Sequence, residues 1–304
     1  MATKSLLLIS ACCALGGASV ASAQPAPGKI TIGIYAPTVE FGTAQARLQY
    51  AQGLAKAIEQ ATGTKTEAQS YASISALESA KVDYAIVDGP CYATHSSWSL
   101  LADANIGGAT TRPWALYTAT GSTMQDLKGK KLVYVQAGCN DGGFVDNAML
   151  ESEVDPSFFG GRAGEKDLTG AIAAVTSYKT AQALFAPVGS AKGLTKVFDT
   201  GAVPNPAFVE IAGTQPAAVT AKVSTAVIGY GGGGAISGWT RPDRTVYTAF
   251  AGRLGKVVKL GVLANPDPVR IDARDVLSEP TTLKDFATVP VRHHFDRPRG
   301  DRMD

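Results

Sequence analysis

The stretch KITIGIY, residues 29–35, sets Ile30, Ile32 and Ile34 at alternate positions and is followed by Pro37, the pattern of a half-buried strand. A helical pattern then replaces it. From Thr43 to Thr62, Ala44, Leu48, Ala51, Ala55 and Ile58 recur at steps of four and three, lining one helix face until Gly63 stops it. TKTEAQSY reads as a second strand, SISALESAK as a short helix, and DYAIVDG as a third strand closed by Gly89–Pro90. Strands that alternate with helices pair in parallel and need helices over their faces, so the fold class is α/β.

The alternation resumes further on. PWALYTA is a strand, and DLKGKKLVYVQAG places a turn before a strongly apolar one. A helix from about 143 to 152, another over about 171–183, and the strands ALFAPVG and KVFDTG follow. VPNPAFVEIAG reads as an extended return, with prolines at 204 and 206. AAVTAKVSTAVIG is taken as helix, GYGGGGAISG as a flexible loop, and VVKLGVLANPDPVRIDARDV as late strands broken by Pro266 and Pro268. At 304 residues the chain exceeds one ordinary core, and about two domains is the prior. The expected division is a first lobe from 24–115 and 210–290, a second from 116–209, and a flexible tail over 291–304.

The N-terminus pairs a lone Lys4 with an apolar run from Ser5 to Val20 and then Ala21-Ser22-Ala23, which reads as a secretory signal over residues 1–23. A rival reading makes Cys12 a lipidated cysteine after Ile9-Ser10-Ala11. Either way the chain is expected outside the cytoplasm, in the periplasm. No later run reaches the ~18 apolar residues that a membrane helix needs. Charged residues are 18 % of the chain and its net charge is +2, which supplies neither the clustered Lys and Arg of a nucleic-acid binder nor those of an anionic-membrane binder.

The order of elements, with KVDYAIVDGPCYA (81–93), DLKGKKLVYVQAG (126–138) and PNPAFV (204–209), resembles the phosphonate-binding-like family of extracytoplasmic solute-binding proteins. The likeness spans about residues 29–212. It implies a two-lobed periplasmic-binding-protein fold, each lobe a mixed sheet flanked by helices, that closes on a small-molecule ligand and delivers it to the membrane permease of an ABC importer. A monomer is expected. In phosphonate binders of the family, hydroxyls of a Ser-Thr-Ser-Gly type motif and N–H groups at a helix N-terminus take the anion. Here those positions read Cys139-Asn140-Asp141-Gly142. A helix N-terminus offers an anion about 0.3–1 kcal/mol, up to ~2 when partly buried. A carboxylate ~4 Å away repels it by about 4 kcal/mol at an effective dielectric of 20. Asp141 either caps its own helix or faces the ligand; in both cases the expected ligand is neutral, apolar or cationic, not a phosphonate.

Ligands of open α/β sheets bind beyond the carboxyl ends of the strands. The candidates there are Tyr35 and Phe41 after the first strand, Asp88, Cys91 and Tyr92 after the third, and Cys139, Asn140, Asp141 and Gly142 in the second lobe. Val188, Gly189 and Ser190 are weaker ones. The resemblance makes Tyr92 an aromatic ligand contact, though each aromatic also reads as core packing. Cys91 and Cys139 read as free thiols, as a disulfide joining the lobes, or as metal ligands with His95. No cofactor is implied. An enzyme would need a base, and the histidines are only His95, His293 and His294. The run 229–234 fits Gly-x-Gly-x-x-Gly, but Pro242 interrupts the helix that should follow, and no Gly-Lys-Ser/Thr phosphate loop exists. Alternatives to the receptor are a periplasmic carrier of an apolar lipid such as a sterol, and a sensory or interaction protein on the same fold.

Overall fold

A computed structural model describes residues 28–255. The expected signal, the late strands beyond residue 256 and the tail, with His293 and His294, lie outside the described residues.

Two mixed sheets form the framework. The first has strands β1 (Ile30–Tyr35), β2 (Thr66–Ser70), β3 (Tyr84–Val87), β4 (Ser99–Asn105), β10 (Ala207–Glu210) and β11 (Gly238–Thr240), in the order β11-β4-β10-β3-β1-β2. β1 pairs in parallel with β2 and β3, whereas β10 runs antiparallel between β3 and β4. The second has β5 (Thr111–Thr118), β6 (Lys131–Val135), β7 (Gly161–Glu165), β8 (Ala183–Pro187) and β9 (Thr195–Pro204), in the order β7-β6-β8-β5-β9. The chain leaves the first sheet after Asn105, enters the second at Thr111, and returns between Pro204 and Ala207. Strand β5 therefore straddles position 115, where the sequence division was drawn.

Helix α1 (Ala44–Thr62) follows its caps: Thr43 Oγ1 accepts the Ala46 N–H at 3.0 Å, and Gly63 ends the helix at φ 71°. Its buried residues are Tyr50, Ala51, Leu54, Ala55 and Ile58. Ala44 is exposed and Leu48 only half-buried, because α6 (Ala217–Ile228) packs beside α1 and turns the apolar face toward Tyr50 and Leu54.

Elsewhere the structure corrects the sequence reading. The Gly89–Pro90 turn opens a short helix, α3 (Gly89–Thr94), where proline in the first turn has no hydrogen bond to lose. The helix expected over 143–152 is a single α-turn, α4 (Asp141–Gly143), continued by a π-helical turn, Phe144–Met149. The helix expected near 171–183 is α5 (Leu168–Thr176), started by Asp167 Oδ1 accepting the Gly170 N–H at 2.8 Å. Strand β7, GRAGE, has no apolar alternation to betray it and takes its register from β6. Helix α7 (Arg244–Gly255) forms where the sequence pattern marks no element.

One apolar cluster runs through both sheets. Tyr35, Val87 and Tyr92 meet Trp114, Phe144, Met149 and Phe185, with Tyr247, Phe250 and Leu254 of α7 among them. Ring contacts knit it: Tyr92 to Tyr247 at 4.8 Å, Trp114 to Phe144 at 5.6 Å, and Phe144 to Phe250 at 6.3 Å.

Candidate functional site

The loops that follow β1 and β3 face those that follow β6 and β7, and the seam between them has two sides. On the side of the crossing strands, everything is fastened. Asn205 gives its N–H to Thr110 O and its Nδ2 to Ala109 O, both at 2.8 Å, and accepts from Arg112 Nε at 2.9 Å. Gly89 lies so close to the crossing strand that an added Cβ would fall 2.2 Å from Pro204 O, so glycine is required there. Helix α7 straps both sheets: Tyr247 Oη donates to Asn205 O, and Arg253 donates to Ala202 O, Thr200 O and Ala148 O.

Cys91 and Cys139 are bonded to each other, Cα atoms 5.0 Å apart and both side chains buried. Of the three readings left open by the sequence, the disulfide is the one realised. It excludes both the free thiols and the metal site, since the two sulfurs are each other's partners. His95 is held apart from any such role: Nδ1 lies 2.8 Å from Cys91 O, Nε2 is 3.2 Å from Glu78 Oε1, and the ring stacks on Trp98 at 4.5 Å.

The opposite side of the seam, the mouth, starts at this disulfide, whose sulfurs lie 3.7 Å (Cys91) and 3.4 Å (Cys139) from Ala137 O, and beyond it is held by hydrogen bonds. Leu168 donates its N–H to Pro37 O at 3.0 Å, and Tyr35 Oη donates to Ala137 O at 2.9 Å. Burial, reinforced by the negative charges of Asp88 and Asp141, pushes the Tyr35 phenol above its ordinary range, so it stays a donor. Behind it, Asp88 is fully buried and accepts the Thr38 N–H at 2.9 Å and the Thr38 hydroxyl at 2.5 Å. Burial raises its pKa to about 6, against the pull of those two bonds and of Arg112, which donates to Thr38 O at 3.2 Å.

Asp141 does not cap its own helix. Asn140, at φ 63°, does so by accepting the Gly143 N–H at 3.1 Å. The Asp141 carboxylate turns back and accepts the N–H groups of Ala137, at 2.9 Å, and Gly138, at 3.0 Å. The backbone donors of this loop are thus taken by an internal anion.

Of the other residues singled out from sequence, Tyr92 is buried against α7 and gives the mouth no surface, while Asn140 and Gly142 are exposed. Phe41 leans on Tyr50, 5.7 Å between rings, beside a hollow of the first sheet's side. Ser190 sits in the turn after β8, its N–H on Pro187 O at 3.1 Å, and no described contact joins it to the Tyr35 or Asp88 loops. Sequence reading missed Pro37, Thr38, Arg112, Asn205 and Leu168. The Pro-Asn-Pro triplet at 204–206 held a usable signal, since a polar side chain between two prolines lacks a regular ladder to join.

Solved structures with this architecture are numerous. A binding-protein component of an ABC phosphonate transporter from Pseudomonas aeruginosa superimposes at TM-score 0.58 with 14 % identity, covering 75 % of this chain and 88 % of that one. PhnD1 of Prochlorococcus marinus in complex with methylphosphonate gives 0.58 at 12 % identity, covering 75 % and 98 %. A Xanthomonas citri protein bound to ATP gives 0.55 at 12 % identity, covering 75 % and 97 %. The chain has the type 2 periplasmic-binding-protein fold. No protein-family model and no curated protein matches it. Among the described residues, no helix of this binding-protein fold is long and apolar enough to cross a membrane.

Proposed function

We propose that the chain is an extracytoplasmic solute-binding protein that takes a small molecule between the loops of Tyr35–Phe41 and Ala137–Gly142 and presents it to an ABC-type permease. The observation that carries this reading is that the Tyr35–Phe41 and Ala137–Gly142 loops, one from each sheet's side, face each other across the seam, joined at Ala137 O by the Tyr35 hydroxyl beside the Cys91–Cys139 disulfide and, further along the rim, by the bonds of Leu168 to Pro37 O and of Arg112 to Thr38 O. With the disulfide kept, the rim beyond it, at Pro37 and Thr38, is the part that opens, and a ligand that contacts both walls stabilises the closed form by its preference for that form. Binding, not catalysis, is the role supported, because the described imidazole is engaged by Cys91 and Glu78.

The ligand is neutral or cationic. The Asp141 carboxylate already takes the two N–H groups that would receive an anion, and the buried Asp88 stands behind Tyr35. A lipid carrier would call for an enlarged, dry, aromatic-lined cleft, whereas this seam is filled by Tyr92, Trp114, Phe144 and Phe250 of the protein itself.

A thermal-shift screen of the mature protein against amines, phosphonates, metals and sterols tests the reading. A ligand at a hundred times its dissociation constant stabilises by about 2.7 kcal/mol, a shift of several degrees. An amine or neutral solute is expected to give it and methylphosphonate is not. Micromolar calorimetric binding of an alkylphosphonate would overturn the ligand class, and a sterol as the sole stabiliser would overturn the receptor in favour of a lipid carrier.

A further inference from the structure

A hollow of about 650 Å³ lies on the side of the first sheet, where Glu40 and Phe41 at the end of the mouth loop form part of its lining. It is bounded by the β1–α1 loop, the start of α1 and the glycine-rich loop after α6, with Phe41, Tyr50 and Tyr230 as its aromatic walls. Tyr50 meets Phe41 and Tyr230 at 5.7 Å between ring centroids in each case. Its hydroxyl accepts from Trp239 Nε1 at 2.9 Å, which fixes the ring. The glycine-rich loop, left without a role by the sequence, has one here. An added Cβ at Gly232 would fall 2.8 Å from both the Tyr50 and Tyr230 rings, and one at Gly53 would fall 2.4 Å from the Tyr230 hydroxyl. Glycines on two sides therefore let Tyr230 stand against α1.

We propose that this hollow is a second binding site, for a small organic ammonium ion. Its size lies in the range of ligand pockets, about 300–1,000 Å³. The charged residue on its lining is Glu40, an exposed carboxylate that also acts on Arg112; no Lys or Arg lines the hollow itself. Aromatic faces attract a cation through their quadrupole, and a carboxylate at the rim supplies the counter-charge; an anion finds neither, and a neutral solute gains nothing from Glu40. The hollow shares Glu40 and Phe41 with the loop that forms one wall of the mouth, but Tyr50 and Tyr230 belong to the hollow alone, so a loss of choline binding in Tyr230→Ala tests this site and not the receptor reading.

Calorimetric titration of choline and of its neutral isostere, 3,3-dimethylbutan-1-ol, into the wild-type protein separates the charge from the shape. Choline is expected to bind about tenfold more tightly than the isostere, to lose about tenfold in Tyr230→Ala, and to keep its affinity in Tyr230→Phe. Glu40→Gln, at an exposed position that leaves the fold intact, is expected to weaken choline several-fold. Equal affinities for choline and the isostere, unchanged choline binding in both Glu40→Gln and Tyr230→Ala, or no choline binding at millimolar concentration each overturn the proposal.

Discussion

The crossing side and the mouth of the seam are built from different chemistry, although only a few residues separate them. One has a strapping helix and a run of packed rings; the other has Pro37 O on the Leu168 N–H, Tyr35 on Ala137 O, Arg112 on Thr38 O, and buried polar groups behind them, and the Cys91–Cys139 disulfide stands where the two meet, against Ala137 O. Apolar packing and covalent bonds hold a single arrangement, because any displacement opens voids. The hydrogen bonds of the rim are each worth a net ~0.5–1.5 kcal/mol, since water replaces them when they break. The contrast makes one side an axis and the other a door.

The largest effect should come from the disulfide where axis and door meet. Cys91 and Cys139 are 48 residues apart, and the chain-entropy model assigns such a loop about 4 kcal/mol. Replacing both with alanine is expected to lower the melting temperature by roughly 10 °C. A loss under about 1 kcal/mol in denaturant unfolding would mean that α7 and the rings hold the axis unaided, and the comparison would lose its covalent member.

Next comes Asp88, the charge buried between axis and door. Its pKa stands at about 6 against an ordinary 3.8, so between those values the folded protein holds a proton that the unfolded chain has released. The contribution is favourable below the unfolded value and is lost as pH rises through about 6, a total of about 3 kcal/mol. Asp88→Asn is expected to flatten this window and to be at least as stable as wild type at pH 8. Urea unfolding of both proteins from pH 4 to 8 gives the difference, free of other carboxylates. A variant that falls behind as pH rises would show instead that ionised Asp88 is stabilised by Arg112.

Much of this was legible in the chain. The alternation of Ile30, Ile32 and Ile34, the helix between Thr43 and Gly63, and the LVYV run of β6 are local patterns of hydrophobicity and capping, and they announce an α/β chain. The disulfide was readable as a possibility because two cysteines stood in loops expected to face each other. What was hidden depends on partners distant in sequence. Strand β7 is a strand because β6 lies beside it; α7 has rings at Tyr247 and Phe250 but no caps that distinguish it. Asp141 looked like an N-cap because Asp suits that place, yet the left-handed Asn140 beside it took the role and freed the carboxylate for Ala137 and Gly138. Arg112 and Leu168 became part of the seam only once Thr38 and Pro37 were folded against them.

The smallest expected effect is also the sharpest test of the door. Tyr35→Phe removes the bond to Ala137 O, keeps the ring in the core, and should cost about 1 kcal/mol. If the mouth opens as a unit, that loss also appears at Leu168, whose N–H is covered by Pro37 O on the same rim. Amide exchange at Leu168 should then quicken roughly fivefold in the variant, the factor that about 1 kcal/mol gives, while amides of the β5–β8 ladder keep their wild-type rates. Unchanged exchange at Leu168 would mean that the two rim contacts break independently. The mouth would then be a pair of separate local contacts, and the contrast between an axis and a door would have no moving part.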